Sequence, residues 1–132
     1  MAEPHPLMFD PDDPSLARVR EIALALPGAA EKVSHGRPAF FTVKVFCYYG
    51  GAAKADMARR HDEAVLFLPD PEDAAALAQD PRFWVPAYLG PSGWLAIDLA
   101  DAEPGEIAEL LDASFRRTAP ARLVRELDAR TA

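Results

Sequence analysis

A carboxylate, a hydroxyl and an imidazole stand close together at Glu31, Ser34 and His35. These are the side-chain types of a nucleophilic triad. The spacing argues against that chemistry, because Ser34 and His35 are neighbours and productive triads bring their members together from separate elements. The chain also lacks the G-x-S-x-G motif of a nucleophile elbow. We therefore predict that Ser34 and His35 bond to backbone in a loop before the first strand, with Gly36 supplying a special dihedral, and that the protein is not an enzyme.

Metal and cofactor chemistry is not indicated by the other reactive side chains. His5, His35 and His61 have no metal-ligand spacing with one another or with Cys47. The sequence contains no glycine-rich phosphate loop. Cys47 is the single cysteine and lies in an apolar strand pattern, which favours a buried structural thiol in a reducing compartment. We expect no catalytic residue, no metal and no cofactor.

Residues 81–94, PRFWVPAYLGPSGW, form an aromatic cassette that is built unlike an ordinary core strand. The cassette holds four aromatic residues among three prolines and two glycines, which restrict the backbone or permit tight turns. We expect Trp94, at the start of a strand pattern, to be packed in the core. Trp84 and Tyr88 are candidates for a ring surface that stacks on a base or holds a small ligand.

A ligand pocket and a plain turn are the two alternatives for the polar loop at residues 31–37. In the first, the loop converges with the cassette, and arginine offers a planar donor fork while the rings offer stacking area for an anionic or aromatic ligand. The candidate ligand-binding residues are His35, Arg37, Trp84 and Tyr88. In the second, the loop side chains face backbone groups or solvent, and no cleft joins them to the cassette.

Charge is distributed unevenly along the chain, which has a net charge of −7. Residues 36–61 carry five basic side chains and one acidic one, whereas residues 62–113 carry one basic and twelve acidic ones. Residues 114–132 are again basic, with five basic and two acidic side chains. If the two basic segments meet, the protein has one basic face; otherwise these charges are solvated surface.

The length of 132 residues fits one domain that buries its apolar surface without disulfides. Residues 1–13 form an acidic arm that we expect to be loosely ordered, and residues 14–132 form the domain. The first helix is predicted to begin after Asp13, with Pro14 in its first turn. Residues 38–49 read as a strand or tight hairpin closed by Gly50 and Gly51, and residues 52–61 as a loop or short helix. The pattern predicts an α+β fold, an antiparallel β-sheet with helices packed on one face.

No secretory signal or long apolar run is visible, so the sequence predicts a cytoplasmic protein without a membrane partner.

Several segments together resemble the MmcQ/YjbR family of small bacterial proteins. They are residues 31–46, EKVSHGRPAFFTVKVF, the aromatic cassette, Ser114-Phe115 and Ala119-Pro120, and the resemblance extends from about Leu16 to Val124. It implies an α+β domain that binds DNA through strand hairpins acting like wings. Relatives usually have a glycine-containing turn between the two strands, where this chain has Thr42-Val43-Lys44. The matching basic positions are Arg37, Lys44, Lys54, Arg59 and Arg60.

DNA binding by this acidic chain is expected to be weak and sensitive to salt, because phosphate contacts come from lysine and arginine. The alternative function is a small-molecule or protein-binding module that uses the cassette and the loop at 31–37.

Overall fold

The computed structural model describes residues 6–131 and contains a six-stranded sheet with helices. In chain order the elements are α1 (Pro14–Leu24), β1 (Ala30–Ser34), β2 (Arg37–Phe41), β3 (Val45–Ala53), β4 (Asp56–Phe67), α2 (Ala74–Gln79), β5 (Phe83–Trp84), β6 (Leu95–Asp98), α3 (Glu106–Thr118) and α4 (Ala121–Thr131).

The first helix begins where the sequence predicts. The backbone N–H of Ser15 donates to the Asp13 side chain at 2.9 Å, and Pro14 occupies the first turn, where no intrahelical donor is needed. Asp13 has a second role, since the Tyr49 hydroxyl donates to its other oxygen at 2.6 Å. This cap therefore ties α1 to the centre of β3, and burial together with the Asp13 bond raises the pKa of Tyr49.

All strand pairs are antiparallel, and the strand order is β1-β2-β3-β4-β6-β5. The predicted α+β fold is confirmed. β1 and β2 form a hairpin whose two turn residues, His35 and Gly36, have φ angles of 51° and 83°. Two left-handed residues in a row are typical of the tight turn that matches strand twist.

The two faces of the sheet are covered by different parts of the chain. One face packs against α1, α3 and α4 and forms the larger core, whose fully buried side chains include Val19, Phe46, Phe67, Leu111 and Phe115. The other face carries a smaller cluster of Ala64, Leu66, Trp94 and Ala96, packed against Tyr48, Trp84 and Leu89. The cassette is therefore the cover of the face that lacks helices.

Three local predictions are wrong. Residues 31–34 belong to β1 and not to a loop before the first strand. Gly50 and Gly51 lie inside β3, and residues 52–61 continue the β3–β4 hairpin instead of forming a loop or helix. The sequence does not reveal this hairpin, because its exposed polar residues lack the one-sided apolar alternation of a half-buried strand.

Ser114 is fully buried, and its hydroxyl bonds outside its own helix. It donates to the Phe46 carbonyl at 2.6 Å and accepts from the Leu68 N–H at 2.9 Å. It thus anchors α3 to β3 and to the segment after β4. Cys47 is buried as predicted, and burial raises the pKa of its thiol.

The described part of the N-terminal arm, residues 6–13, contacts the hairpins. The Met8 N–H donates to the Gly36 carbonyl at 2.8 Å, and Arg60 donates to the Met8 carbonyl at 3.0 Å. Phe9 packs against the larger core. The first five residues, including His5, lie outside the described part, so the prediction of a loosely ordered arm stays a prediction there.

Candidate ligand-binding site

The outer part of the β3–β4 hairpin, residues 50–61, forms a two-stranded ribbon that is joined to the cassette. The register shifts between Tyr49 and Gly51, and Gly50 has a φ of 83°. Such a bulge bends a strand. The Lys54 N–H donates to the Val85 carbonyl and the Ala87 N–H to the Ala52 carbonyl, both at 2.8 Å. These two bonds fasten the cassette along the ribbon and close a space against the helix-free face.

That space is a cavity of about 640 Å³. Its walls come from the β1–β2 turn, from the second half of β3 with its β4 neighbours, and from the cassette; the lining residues are Ser34, His35, Arg37, Tyr48, Gly50, Gly51, Ala52, Met57, Leu66, Ala87, Tyr88 and Leu89. Three of the four candidate ligand-binding residues therefore border one cavity: His35, Arg37 and Tyr88. Trp84, the fourth, is not among the lining residues.

Among the lining residues that the structure describes, Arg37 is the one with a permanent charge, and its side chain is only 11% exposed. Its Nη1 donates to the Asp62 carboxylate at 3.1 Å. The guanidinium lies against Gly50, where an added Cβ would overlap Nη1. Its Nε and Nη2 make no hydrogen bond with any residue in the described range 6–131. The protein thus holds this cation at the cavity without using its bidentate edge.

Asp62 also accepts from Arg60, at 3.0 Å to the same oxygen. Burial acts to raise the pKa of Asp62, but the hydrogen bonds and charges of Arg60 and Arg37 outweigh it, so the pKa lies below its ordinary value of 3.8. Two guanidinium groups and one carboxylate leave this group of three with one unit of positive charge. Asp62 therefore balances only one of the two guanidinium charges.

Tyr88 stands at the cavity with a strained backbone. Its φ is 67°, a conformation that is uncommon for a residue with a bulky side chain. The Leu89 N–H donates to the Ala87 carbonyl at 2.8 Å, which closes a three-residue turn around Tyr88, and its side chain is 85% exposed. Strain of this kind clusters at functional sites. The turn presents a large aromatic ring to solvent beside the cavity, where it is available for stacking.

Tyr48 supplies a second hydroxyl-bearing ring, and burial raises the pKa of this tyrosine, which keeps its hydroxyl protonated. The Tyr48 ring packs against Trp94, with ring centroids 5.5 Å apart. Trp94 is 9% exposed, which confirms its predicted burial. The wall of the cavity is therefore continuous with the smaller core.

Trp84 serves the framework behind the cavity. Its ring stacks on His61, with centroids 4.3 Å apart, and His61 Nδ1 lies 2.9 Å from an Asp98 carboxylate oxygen. The indole N–H is buried and finds no acceptor within residues 6–131. These contacts join β5, the ribbon and β6, and they explain why Trp84 does not reach the ligand space.

The five basic residues expected to contact DNA do not form one patch. Lys44 lies in the β2–β3 turn and Lys54 in the β3–β4 turn, at opposite ends of the nine-residue strand β3. Arg37 and Arg60 share Asp62. Lys54 and Arg59 make no side-chain hydrogen bond or ion pair with any residue that the structure describes. They are the two cations that the ribbon leaves available.

A larger cleft of about 880 Å³ lies between the arm and the middle of β4. Four of its nine described ionisable side chains pair with one another, as Arg60–Asp62 and His61–Asp98. Asp13, also at this cleft, holds Tyr49. The cavity beside Arg37 is better suited to a ligand, because it combines apolar walls with an uncommitted donor edge.

The remaining sequence-based expectations concern catalysis, metals and membranes. The Glu31 carboxylate accepts two hydrogen bonds from Arg20, at 2.8 and 2.9 Å, and the absence of catalysis stays a prediction. Within residues 6–131, no group of three or more metal-ligating side chains is found. Over the same range, no helix is long and apolar enough to cross a membrane.

Sequence reasoning missed Tyr48, Met57 and the glycine pair as parts of the cavity. Gly50 and Gly51 carried the available signal, since glycine within a strand often marks a bulge or a close approach by another group. Met57 carried none, because its role depends on the ribbon meeting the cassette.

Comparisons with known proteins place the chain in a family. A family model described as YjbR matches residues 24–117, which is more than half of the chain. No match was found among curated proteins or among solved structures. The match confirms the resemblance predicted from the sequence, and the chain belongs to the YjbR family.

Proposed function

We propose that this protein is a non-enzymatic binding module that holds a small organic ligand in the cavity between the ribbon and the cassette. The observation that carries the proposal is the convergence of Arg37, His35 and Tyr88 on one cavity whose other walls are mostly apolar. Ligand sites typically combine about 300 to 1,000 Å³ of space, apolar walls and a few polar groups that fix orientation.

Framework contacts support a cavity that is formed before a ligand arrives. Arg37 is fixed by Asp62, and the cassette is fixed to the ribbon by two backbone bonds. A preformed site loses less conformational entropy on binding than one that must be assembled.

A thermal-shift screen against small metabolites tests the proposal, with Ala52→Leu as a variant that fills the cavity. Ala52 lines the cavity, whereas Ala58 is exposed on the same hairpin, so Ala58→Leu is the matched control. A ligand that binds the folded state raises the unfolding temperature. We expect ligands that stabilise the wild type and Ala58→Leu but not Ala52→Leu. Stabilisation that survives in Ala52→Leu would place binding elsewhere, and a broad screen without any stabilising ligand would count against the function.

DNA binding is the second candidate, favoured by the uncommitted cations Lys54 and Arg59 on the ribbon. Each phosphate contact contributes about 0.9 to the slope of affinity against salt, so replacing both residues by alanine removes at most about two units of slope. The matched control replaces Arg122 and Arg125, two exposed arginines of α4. If both double variants weaken duplex binding equally, net charge and not the ribbon is responsible.

A further inference from the structure

The charge and shape of the cavity restrict the chemical class of ligand that it can bind. We infer that the site takes an aromatic monocarboxylate, with the carboxylate on Arg37 and the ring beside Tyr88 and Tyr48. This inference rests on the proposed ligand-binding function and deepens it.

Arg37 has one donor edge that no described residue uses. Only Nη1 bonds to Asp62, and Nε and Nη2 have no partner among residues 6–131. The same two atoms of Arg20 hold the Glu31 carboxylate at 2.8 and 2.9 Å. This fork matches a carboxylate in two parallel hydrogen bonds. A planar carboxylate is therefore the group that fits the unused edge of Arg37.

The net charge of the Arg37, Arg60 and Asp62 group indicates how many negative charges the ligand carries. Arg37, Arg60 and Asp62 together carry one net positive charge. Among the lining residues that the structure describes, Arg37 is the one with a permanent charge. One negative charge on the ligand neutralises this group. A second anionic group would lie against apolar walls without a charged partner among the described lining residues, which is unfavourable.

The uncharged lining residues favour an aromatic ring as the body of the ligand. Tyr48, Tyr88, Met57 and Leu66 supply aromatic faces, a polarisable sulfur and an aliphatic surface. Gly50 and Gly51 let the Arg37 guanidinium and the Leu66 side chain pack directly on the backbone of β3, which holds both side chains at the cavity wall. An aromatic ring uses these surfaces better than a flexible alkyl chain, because it stacks and loses little conformational freedom on binding.

Calorimetric titration of the full chain with three matched probes tests the inference. Phenylacetate carries both features, phenylacetamide removes the charge, and cyclohexylacetate removes the aromatic ring. We expect phenylacetate to bind at least about tenfold more tightly than the amide, since a charged hydrogen bond contributes roughly that factor or more. We expect cyclohexylacetate to bind several-fold more weakly than phenylacetate.

Variants assign the effect to the cavity. Arg37→Gln should reduce the affinity for phenylacetate to that for the amide, and Arg37→Lys should recover it only in part, because lysine lacks the fork. Arg18→Gln is the matched control, since Arg18 is exposed on α1. Equal affinity for acid and amide in the wild type, or unchanged acid binding in Arg37→Gln, overturns the inference.

The probe series separates this inference from the proposed function. If the screen finds ligands that Ala52→Leu excludes, but acids have no advantage over amides, the cavity is a binding site and the assigned ligand class is wrong. If neither the screen nor the probes detect a ligand that Ala52→Leu excludes, the proposed function fails together with the inference.

Discussion

Tyr88 combines a strained backbone with an exposed ring beside the candidate site. A side chain in the left-handed region costs about 1 to 2 kcal/mol relative to glycine, and the exposed Tyr88 ring gains little buried area within the protein to offset that cost. A strained residue that exposes a large aromatic ring beside a cavity is explained more readily by binding than by folding.

Replacement of Tyr88 by two small residues measures this strain. We expect Tyr88→Gly to be more stable than Tyr88→Ala by about 1 kcal/mol in urea unfolding, because only glycine adopts the positive φ without strain. Val43, an exposed turn residue without a positive φ, is the matched position, where glycine should be no more stable than alanine. Equal stability of the two Tyr88 variants would contradict the account of strain.

The β3–β4 hairpin is the element that creates the cavity, and Gly50 is where it bends. An added Cβ at Gly50 would meet the Arg37 guanidinium, whereas at Gly105, with the same φ of 83°, it would meet nothing within 4 Å. Gly50→Ala and Gly105→Ala therefore share the backbone cost of a left-handed residue, and only the first displaces Arg37.

We expect Gly50→Ala to lose at least about 1 kcal/mol more unfolding free energy than Gly105→Ala, since it also disturbs the Arg37–Asp62 pair. Ligand stabilisation should fall in Gly50→Ala and persist in Gly105→Ala. Indistinguishable variants would show that the close approach of Arg37 to Gly50 is unimportant.

A second interaction between elements predicts how stability depends on pH. Arg82 lies just before β5 and donates to two carboxylates. It lies 2.9 Å from Asp80, which follows α2, and 2.8 Å from Glu106, the first residue of α3. These bonds to Arg82 are the main reason that the pKa values of Asp80 and Glu106 lie below their ordinary values of 3.8 and 4.5. Because the folded state lowers both values, their contribution is present above about pH 4.5 and is lost as pH falls through the folded values.

Arg82→Leu should therefore flatten the decline in urea midpoint between about pH 5 and pH 3, since both carboxyls return toward their ordinary pKa values. Arg18→Leu removes an exposed arginine and should leave the pH dependence unchanged. Parallel curves for the wild type and Arg82→Leu would rule out this explanation.

The sequence predicts features that depend on neighbouring residues better than features that depend on contacts between distant residues. The start of α1 was predicted because Asp13 and Pro14 act within one turn of the helix they begin. The Ser114 hydroxyl bonds to Leu68 and Phe46, which precede it by 46 and 68 positions in the chain. No local sequence pattern indicates contacts between residues so far apart. His35, Arg37 and Tyr88 were recognised as binding residue types, but their meeting depends on the ribbon, which the sequence hides among exposed polar residues.

At the scale of the whole molecule, one sheet supports two cores. Both tryptophans lie with the smaller cluster, while the helices cover the other face. Because the central strands contribute side chains to both faces, we expect the two cores to unfold together. Tryptophan fluorescence and far-ultraviolet circular dichroism then report the same transition from opposite faces.

Trp94→Ala tests this coupling. Truncation of a large buried aromatic costs about 3 to 5 kcal/mol, and the loss should appear equally in circular dichroism and in the fluorescence of Trp84. Tyr88→Ala, at an exposed ring, should remain within about 0.5 kcal/mol of the wild type. Separate transitions for the two probes would indicate that the helix-free face folds independently.

The central claim is that the ribbon and the cassette enclose a ligand site governed by Arg37. Titration of nitrogen-15-labelled protein with phenylacetate, followed by amide chemical shifts, tests it most directly because each residue reports separately. The account predicts saturable shifts concentrated in residues 34–37, 48–52 and 87–89. In Arg37→Gln these shifts should need at least about tenfold more phenylacetate to reach half-saturation, whereas the Arg18→Gln spectrum should respond like the wild type. Shifts centred on another surface, or an unchanged half-saturation concentration in Arg37→Gln, would contradict it.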